Sequence, residues 1–473
     1  MRYLRLGAVL VYSLLIVHSL LFIVFADEGI SKREAAKQKP ATGKKAFFAE
    51  LKDKVKITGS LYEYFIYQKN VYFNRLKADQ FWETTLRLGA EYKPVDDLVF
   101  NFGVLGEGAA GDTNEYTVPA RHDWKAILEF ANFKVNKLFG QPLSLTAGRQ
   151  NLEFGDGFLI YDFYSDRRAV WTASMRSLYA TLLTYKPREN IKIDAFAGEV
   201  ERNFKSYEVY LKDAAAYNGK RNIYGANVHL DLPLRTTNDE RRTTNMDLGM
   251  FYKSDASQLH SDTFALSLRT STPVPLVPNL TFEAEVVPEW GKTMAQNGGF
   301  STTNPDNKRV DRRAIGGHVD IVYALKDKPM SPYTKLCYRY LPGDNPNTDK
   351  KNEAFDPMFY GFRNWGQWCM GSINGFNLFN SNEKAWMFEA GISPTKTTLL
   401  RLMLYDFSLD RENNPDARKR FSREANLVFD WFPNDYFFCG AEFGYAHPLK
   451  AGRAYAGSDD NTMEVVSWIG LKF

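Results

Sequence analysis

The sequence is poor in cysteine and histidine for its length. Three cysteines among 473 residues cannot form a disulfide framework. The six histidines are scattered without metal-ligand spacing, and no Gly-x-Ser-x-Gly elbow, phosphate-binding glycine loop or His-Glu-x-x-His motif occurs. An enzyme site assembled from distant residues is the alternative. On these absences we expect no enzyme activity, no resident metal and no other cofactor.

An excess of one charge and long apolar runs are also lacking. Lys+Arg number 60 and Asp+Glu 56, and the two signs are interleaved, so no basic domain or tail is present to bind nucleic acid. Only one apolar stretch approaches the roughly 20 residues that a membrane-spanning helix needs. It stands at the N-terminus, and this excludes a bundle of membrane helices.

Residues 1–26 have the order of a secretory signal peptide. Arg2 and Arg5 precede a long apolar run, and Val24 and Ala26 occupy the −3 and −1 positions of a cleavage site. An uncleaved anchor helix is the alternative, because the apolar run is long for a signal peptide. Residues 27–53 are rich in Lys, Ala and Glu without a strand pattern, and we interpret them as a periplasmic tether.

From Val55 onward, segment after segment alternates with period two, which in a strand sends successive side chains to opposite faces. Each apolar row has about the length of a tilted membrane strand, roughly 9 to 11 residues. A soluble sandwich or propeller would alternate as well. The clearest rows are Trp82, Thr84, Leu86, Leu88, Ala90, Tyr92; Leu98, Phe100, Phe102, Val104; Tyr224, Ala226, Val228, Leu230, Leu232; Ile315, Gly317, Val319, Ile321, Tyr323; and Ala425, Leu427, Phe429, Trp431.

The connections between these rows favour a membrane barrel. Short links that contain proline alternate with long polar links, as periplasmic turns alternate with extracellular loops in outer-membrane barrels. The chain ends in Phe473 on an apolar row, which resembles the signal for outer-membrane insertion by the barrel-assembly machinery. Residues 54–473 are therefore predicted to be all-β, an antiparallel transmembrane β-barrel of about 18 strands. Residues 341–383, the longest loop, are the expected constriction or lid.

If the apolar rows face lipid, the opposite parity faces a lumen that is too wide for side chains to fill. Two interpretations stay open: the inward charges neutralise one another across the wall, or they select a substrate, as rings of charge do in pores. The inward set contains Arg87, Arg269, Lys335, Arg339 and Arg401, the acids Glu83, Glu91, Asp194, Asp247, Glu283, Glu285, Asp320, Asp430 and Glu442, and the histidines His229 and His318.

Two segments resemble the alginate export family of outer-membrane barrels. The first is Leu-Ser-Leu-Thr-Ala-Gly-Arg-Gln at 143–150 with Phe-Gly-Asp-Gly at 154–157 and Asp-Arg-Arg at 166–168, and the second is Phe-Asp-Pro-Met-Phe at 355–359. The resemblance implies an 18-stranded monomeric channel with an arginine-rich constriction. Through it a polyanionic polysaccharide would leave the periplasm.

The resemblance also implies that Arg149 is a pore arginine. Strand parity disagrees, because Leu143, Leu145 and Ala147 point to lipid, so we expect a bulge at Gly148 to turn Arg149 inward. In the alternative, Arg149 only anchors the following loop. Arg176 starts the next strand, where two apolar rows compete for the lipid face. The proposed substrate path is Arg87, Arg149, Arg176, Arg269, Lys335, Arg339 and Arg401.

Two functions compete at this point. The first is a channel in the bacterial outer membrane that passes an anionic polysaccharide or a related solute. The second is a structural or adhesive barrel with a plugged lumen, whose long loops bind a partner. In both cases the barrel is expected to be a monomer in contact with outer-membrane lipid.

The mature protein is predicted to begin near Asp27 and to fractionate with the outer membrane as a heat-modifiable barrel. Intact-mass measurement of the purified protein tests this. A mass that retains residues 1–26 would favour the anchor helix.

Overall fold

The structure is a computed structural model that describes residues 54–70, 73, 78–112, 125–160, 178–200, 221–235, 241–256, 261–275, 277–294, 309–345, 347–348, 350–358, 381–412 and 419–473. The expected signal peptide and tether, the Asp-Arg-Arg element at 166–168, and Arg176 lie outside these residues. The chain divides into two compact units at Lys56, and the second unit is Ile57–Phe473.

The described residues are almost entirely strands. Eighteen of them have 8 to 17 residues, and β14 has two. The strands are β1 (Val55–Lys69), β2 (Asp79–Val95), β3 (Leu98–Asp112), β4 (Lys125–Val135), β5 (Leu143–Gln150), β6 (Leu178–Arg188), β7 (Ile191–Val200), β8 (Arg221–Arg235), β9 (Arg241–Asp255), β10 (Ser261–Pro273), β11 (Leu280–Met294), β12 (Arg309–Ala324), β13 (Tyr333–Leu341), β14 (Lys351–Asn352), β15 (Glu383–Ile392), β16 (Thr398–Leu409), β17 (Arg420–Trp431), β18 (Phe437–Pro448) and β19 (Thr462–Lys472).

The long strands form one closed antiparallel sheet. Each pairs with its neighbours in chain order, and β1 pairs with β19 from Ser60–Lys472 to Lys69–Met463, which removes both sheet edges. The two-residue strand β14 lies in the β13–β15 connection and runs parallel to β12. The predicted barrel of about 18 strands is confirmed.

Side-chain exposure follows the alternation read from the sequence. Ile315 and Leu427, from two of the apolar rows, are 61% and 54% exposed, whereas their chain neighbours Ala314 and Val428 are buried. The apolar rows therefore cover the outer face, where a lipid bilayer is the solvent that suits them. The opposite parity faces the interior.

One bulge brings a charge inward. Between β3 and β4 the register shifts so that Gly103 pairs with Phe130 and Val104 with Leu128, which leaves Glu129 as the extra residue. The Glu129 carboxylate is buried and lies 3.5 Å from Nε of Arg87 on β2. The bulge thereby supplies a partner for an inward cation.

Helices are few in the described residues. A 3₁₀ turn (Leu138–Gly140) lies between β4 and β5, and helix α1 (Lys450–Ala456) lies between β18 and β19. Gly457 ends α1 at a φ of 66°, a left-handed conformation that favours glycine. None of the described helices has both the length and the apolar character that crossing a bilayer requires.

Placing a charge on the outer face at mid-strand should destabilise the barrel. Leu248 is half-exposed in the middle of β9, so Leu248→Arg is expected to cost about 2–4 kcal/mol near the bilayer midplane. Leu232, on the same face of β8 but close to the strand end, is the control, and Leu232→Arg should cost about 0–1 kcal/mol. Unfolding by denaturant in lipid vesicles measures both, and equal costs would contradict the assigned outer face.

Candidate functional site: the inner wall and its loop anchors

The inward cations expected from parity are all inside the barrel, and each faces a carboxylate. In four of the five pairs named below a side-chain nitrogen lies 2.6–3.5 Å from a carboxylate oxygen, and in the Arg339–Glu383 pair the two atoms are closer still. Arg269 also contacts Glu283 at 2.5 Å. Of the two interpretations left open by the sequence, mutual neutralisation of the inward charges therefore describes the geometry of the wall without a solute. The pairs are Arg87–Glu129, Arg269–Asp247, Lys335–Asp320, Arg401–Asp430 and Arg339–Glu383.

These cations differ in their access to the lumen. The side chains of Arg87, Lys335 and Arg401 keep 12–16% exposure, whereas Arg339 and Glu383 are both 0% exposed. The Arg339 Nε donates to Glu383 Oε1 at 2.8 Å. Breaking a fully buried pair leaves an uncompensated charge, so the Arg339–Glu383 pair belongs to the structure of the wall.

Arg149 does not follow the expectation from the family resemblance. The β5–β6 register is continuous from Leu143–Tyr185 to Gln150–Leu178, so the expected bulge at Gly148 is absent, although Gly148 has a φ of 122°. Arg149 pairs with Tyr179, which is 47% exposed on the outer row. Its guanidinium carbon lies 5.5 Å from the Tyr179 ring centre, and the residue is 5% exposed. We correct the expectation: Arg149 has outward parity and a cation–π contact.

The same register decides which row of β6 meets lipid. Tyr179, Leu183 and Tyr185 are exposed, while Leu178 and Ala180 are buried. The interior row of β6 is therefore apolar. The placement of Arg176 lies outside the described residues.

Residues 151–160, which follow β5, fold into the barrel and pack on its inner wall. Phe154 stacks on Phe196 of β7 with ring centres 4.9 Å apart and contacts Phe251 of β9 at 5.8 Å. Gly155 and Gly157 have φ angles of 63° and 84°, where a side chain would be strained. The Phe-Gly-Asp-Gly element thus makes a tight turn that carries Asp156 inward.

The Phe-Asp-Pro element holds a second inward segment. Asp356 accepts hydrogen bonds from Lys253 Nζ and, at 2.8 Å, from Thr263 Oγ1. Its backbone N–H donates to Glu289 Oε2 at 2.8 Å, and Arg312 Nη2 lies 3.8 Å from its carboxylate. Burial raises the pKa of Asp356, but the charges of Lys253 and Arg312 and these hydrogen bonds outweigh it and hold the pKa well below its ordinary value.

The two inward segments meet each other. The rings of Phe158 and Phe355 lie 5.7 Å apart, and Phe158 also lies 5.3 Å from the His318 ring. Gly316 of β12 leaves the space for Phe355, since a Cβ there would come within 2.6 Å of the Phe355 ring. Residues 341–383 were expected to hold the constriction, and Phe355, Asp356 and Met358 of this loop do pack on the inner wall. The turn of 151–160 was not foreseen.

A charged cluster surrounds Asp156. His318 Nε2 lies 2.9 Å from Asp156 Oδ2 and 3.7 Å from Glu285 Oε2, and all three residues are buried. Arg269 Nε is 3.8 Å from Asp156 Oδ2. Strand parity predicted that Glu285, His318 and Arg269 face the interior. Nothing in the sequence pattern predicted that Asp156 would contact them.

The inner wall of β1 and β15–β19 is different in character. Its buried side chains combine apolar and aromatic groups with several carboxylates, and the rings of Tyr62 and Tyr64 are parallel at 6.3 Å with Phe438 5.2 Å from Tyr62. Glu424 and Glu464 are buried in the same part of the wall. On this side the charged lumen expected from parity is therefore interspersed with aromatic rings.

Comparison with known proteins identifies the architecture. The alginate export family model matches residues 109–466, more than half of the chain. Among solved structures, OccAB4 of Acinetobacter baumannii has a TM-score of 0.56 at 10% identity, covering 89% of this chain and 98% of that one. OccK3 (OpdO) of Pseudomonas aeruginosa has a TM-score of 0.53 at 11% identity, and the match covers 90% of this chain and 97% of that one. The structure of Pseudomonas aeruginosa OpdK with vanillate has a TM-score of 0.52 at 11% identity, and the match covers 88% of this chain and 98% of that one. No curated protein sequence matches the chain.

Removing the Asp356 carboxylate should release its segment. Asp356→Ala leaves Lys253 and Arg312 buried without this acceptor, and hydrogen bonds to charged groups contribute about 1.5–3 kcal/mol each. Trypsin cleavage at the neighbouring Lys350 and Lys351 is expected to accelerate roughly tenfold or more, because cleavage tracks local opening.

The matched control is Asp406→Ala, which removes a carboxylate that pairs with Arg420 and Arg423 at an exposed position. Its cleavage rate should stay that of the wild type. Cleavage of the Asp356 variant at the wild-type rate, in protein that is still heat-modifiable, would contradict the anchoring role.

Proposed function

We propose that this chain, which belongs to the alginate export family, is a channel of the bacterial outer membrane that passes anionic solutes of the acidic polysaccharide class. The observation that carries the proposal is the set of inward cations that retain exposure inside a closed 18-strand barrel: Arg87, Arg269, Lys335 and Arg401. Arg149 and Arg339 contribute less, the first because of its outward parity and the second because it is fully buried.

Each exposed cation already holds a protein carboxylate, and this determines how a solute carboxylate would bind. Arg401 lies 2.6 Å from Asp430 and Lys335 lies 3.3 Å from Asp320. A uronate that reaches one of these cations would exchange with the resident carboxylate or share its cation. The net gain at each step is small, so the polymer enters and leaves readily, as conduction requires.

The orientation of the barrel follows from its connections. We assign the short links to the periplasm and the long links, including those after β5 and β13, to the extracellular side, which is the arrangement of single-chain outer-membrane barrels. An even strand number then leaves both chain ends in the periplasm. This agrees with an exported precursor whose signal peptide (1–26) and tether (27–53) precede the barrel. We further propose that the barrel is a monomer inserted through Phe473 recognition by the barrel-assembly machinery.

One solved neighbour is consistent with an anionic solute. OpdK was solved with vanillate, which carries a carboxylate. Its wall shares the fold of this chain at 11% identity. We infer from it that a barrel of this size can accommodate a small molecule that carries a carboxylate.

The inward segments favour a second candidate, a structural or adhesive barrel with a plugged lumen. Residues 151–160 and 350–358 pack on the wall and on each other, and this narrows the passage. A plug held by buried ion pairs would block ions entirely. Conductance in planar bilayers separates the candidates: the channel gives discrete conductance steps that oligouronates block, and the plugged barrel gives none.

Arg401→Gln tests the role of the exposed cations. The variant leaves Asp430 uncompensated at the lumen wall, so the anion-over-cation permeability ratio is expected to fall about twofold or more, and oligouronate block should weaken. Reversal potentials in a salt gradient measure the ratio.

Arg423→Gln is the control, because it removes the same charge from a position that is 59% exposed on the outward row of β17. Its permeability ratio should equal that of the wild type. If Arg401→Gln also leaves the reversal potential unchanged while lowering thermal stability, the cations serve only the wall.

A further inference from the structure

We propose that Asp156, Glu285 and His318 form a binding site for one divalent transition-metal ion, most suitably Zn²⁺, that fastens the inward turn of residues 151–160 to the barrel wall. Their donor atoms all lie within 4.8 Å of one another, and the three residues are buried. The site goes beyond the channel function and does not depend on it.

The spacing of the donors suits a small metal ion. His318 Nε2 lies 2.9 Å from Asp156 Oδ2 and 3.7 Å from Glu285 Oε2. Ligands about 2.0–2.2 Å from a tetrahedral zinc ion are separated from one another by roughly 3.3–3.6 Å. Small side-chain adjustments therefore suffice to bring all three donors to bonding distance. One imidazole and two carboxylates are ordinary zinc ligands, and a fourth position is left for water.

One donor is aimed at the site without a hydrogen bond of its own among the described residues. Ser267 Oγ donates to Glu285 Oε1 at 2.6 Å, which fixes the carboxylate and turns Oε2 toward His318. Glu285 Oε2 is fully buried and receives no hydrogen bond from the described residues. A buried carboxylate oxygen without a donor is costly, and a metal ion satisfies it.

The surroundings have the form of an outer coordination layer. Asp320 Oδ1 lies 3.6 Å from His318 Nδ1, on the side of the ring opposite the proposed ion. Metal-bound histidines commonly donate their second ring N–H to a carboxylate, which fixes the tautomer that leaves Nε2 free to bind. Lys335 holds Asp320 in turn at 3.3 Å.

The charges of the cluster leave room for a divalent cation. Asp156, Asp247, Glu283, Glu285 and Asp320 supply five carboxylates, and Arg269 and Lys335 supply two permanent cations within it. A Zn²⁺ ion would offset two of the three negative charges that remain when all five carboxylates are ionised. The competing arrangement is a protonated His318 that bridges Asp156 and Glu285 with one positive charge, beside the Arg269 guanidinium 3.8 Å from Asp156.

The consequence of the site is mechanical. Asp156 comes from the turn after β5, whereas Glu285 and His318 come from β11 and β12, so the ion would join a loop to a wall that is more than 100 residues away in sequence. The same turn carries Phe158, which packs on Phe355 of the second inward segment. Zinc would thereby rigidify both segments.

The experiment uses the full-length, tag-free barrel in detergent, stripped with EDTA and then titrated with ZnCl₂ by isothermal calorimetry. One Zn²⁺ per chain is expected. Asp156→Asn and His318→Asn should abolish this binding, and Asp320→Asn should weaken it about 10- to 100-fold. Asp156→Asn lies in a loop, so its barrel wall is intact, and heat-modifiability confirms folding for each variant.

The control variant is His229→Asn. His229 is also inward and pairs with Asp231 and Asp247, but it lies outside the triad, so this variant should bind Zn²⁺ as the wild type does.

A second measurement addresses the loop itself. Hydrogen exchange in residues 151–160 should slow when Zn²⁺ is added to the wild type and stay unchanged in Asp156→Asn. The proposal is overturned if the folded wild type takes up no zinc at micromolar concentration. It is overturned equally if Asp156→Asn and His318→Asn bind zinc as the wild type does, which would assign the ion to another place.

Discussion

Every backbone N–H and C=O that crosses a hydrocarbon layer needs a partner within the protein, and the rest of this structure depends on that constraint. Strands meet it only if the sheet closes, as it does here through the β1–β19 pairing. Closure in turn imposes strict alternation, because each strand has one face on lipid and one on the interior. The outer face takes the apolar rows, so charges that lie on the opposite parity, such as Arg401 and Asp430, are turned inward.

Confinement inside the wall explains why the inward charges are paired. Eighteen strands enclose more volume than wall side chains can fill, yet the interior side chains are mostly buried. An unpaired charge there would carry a desolvation cost, whereas an exposed surface charge would not. The bulge that brings Glu129 to Arg87 and the fully buried Arg339–Glu383 pair are two solutions to the same requirement. In the proposed channel, selectivity for a solute would then arise from cations such as Arg401 that are paired and still partly exposed.

Alternation and the short-then-long connections together were sufficient to predict the barrel and its number of about 18 strands. Alternation by itself predicted the inward position of Arg87, Arg269, Lys335, Arg339 and Arg401. It also predicted the outward parity of Arg149, and the family resemblance led away from the correct answer there. Period two could not reveal which carboxylate faces which cation, since that depends on register between strands. It could not reveal loop insertion either: Lys253 and Asp356 are 103 residues apart, and loops have no period.

The segments that carry the family resemblance have a structural explanation. Phe154 and Asp156 fix the turn after β5 to the inner wall, and Phe355 and Asp356 fix the connection after β13, while the two meet at Phe158. A closed wall tolerates many side chains, because any alternating row satisfies it. An inward loop needs particular contacts: glycines at positive φ, an aromatic ring in a space left by Gly316, and a carboxylate opposite buried cations. The sequence-specific signal of this barrel therefore resides in what holds its loops inside.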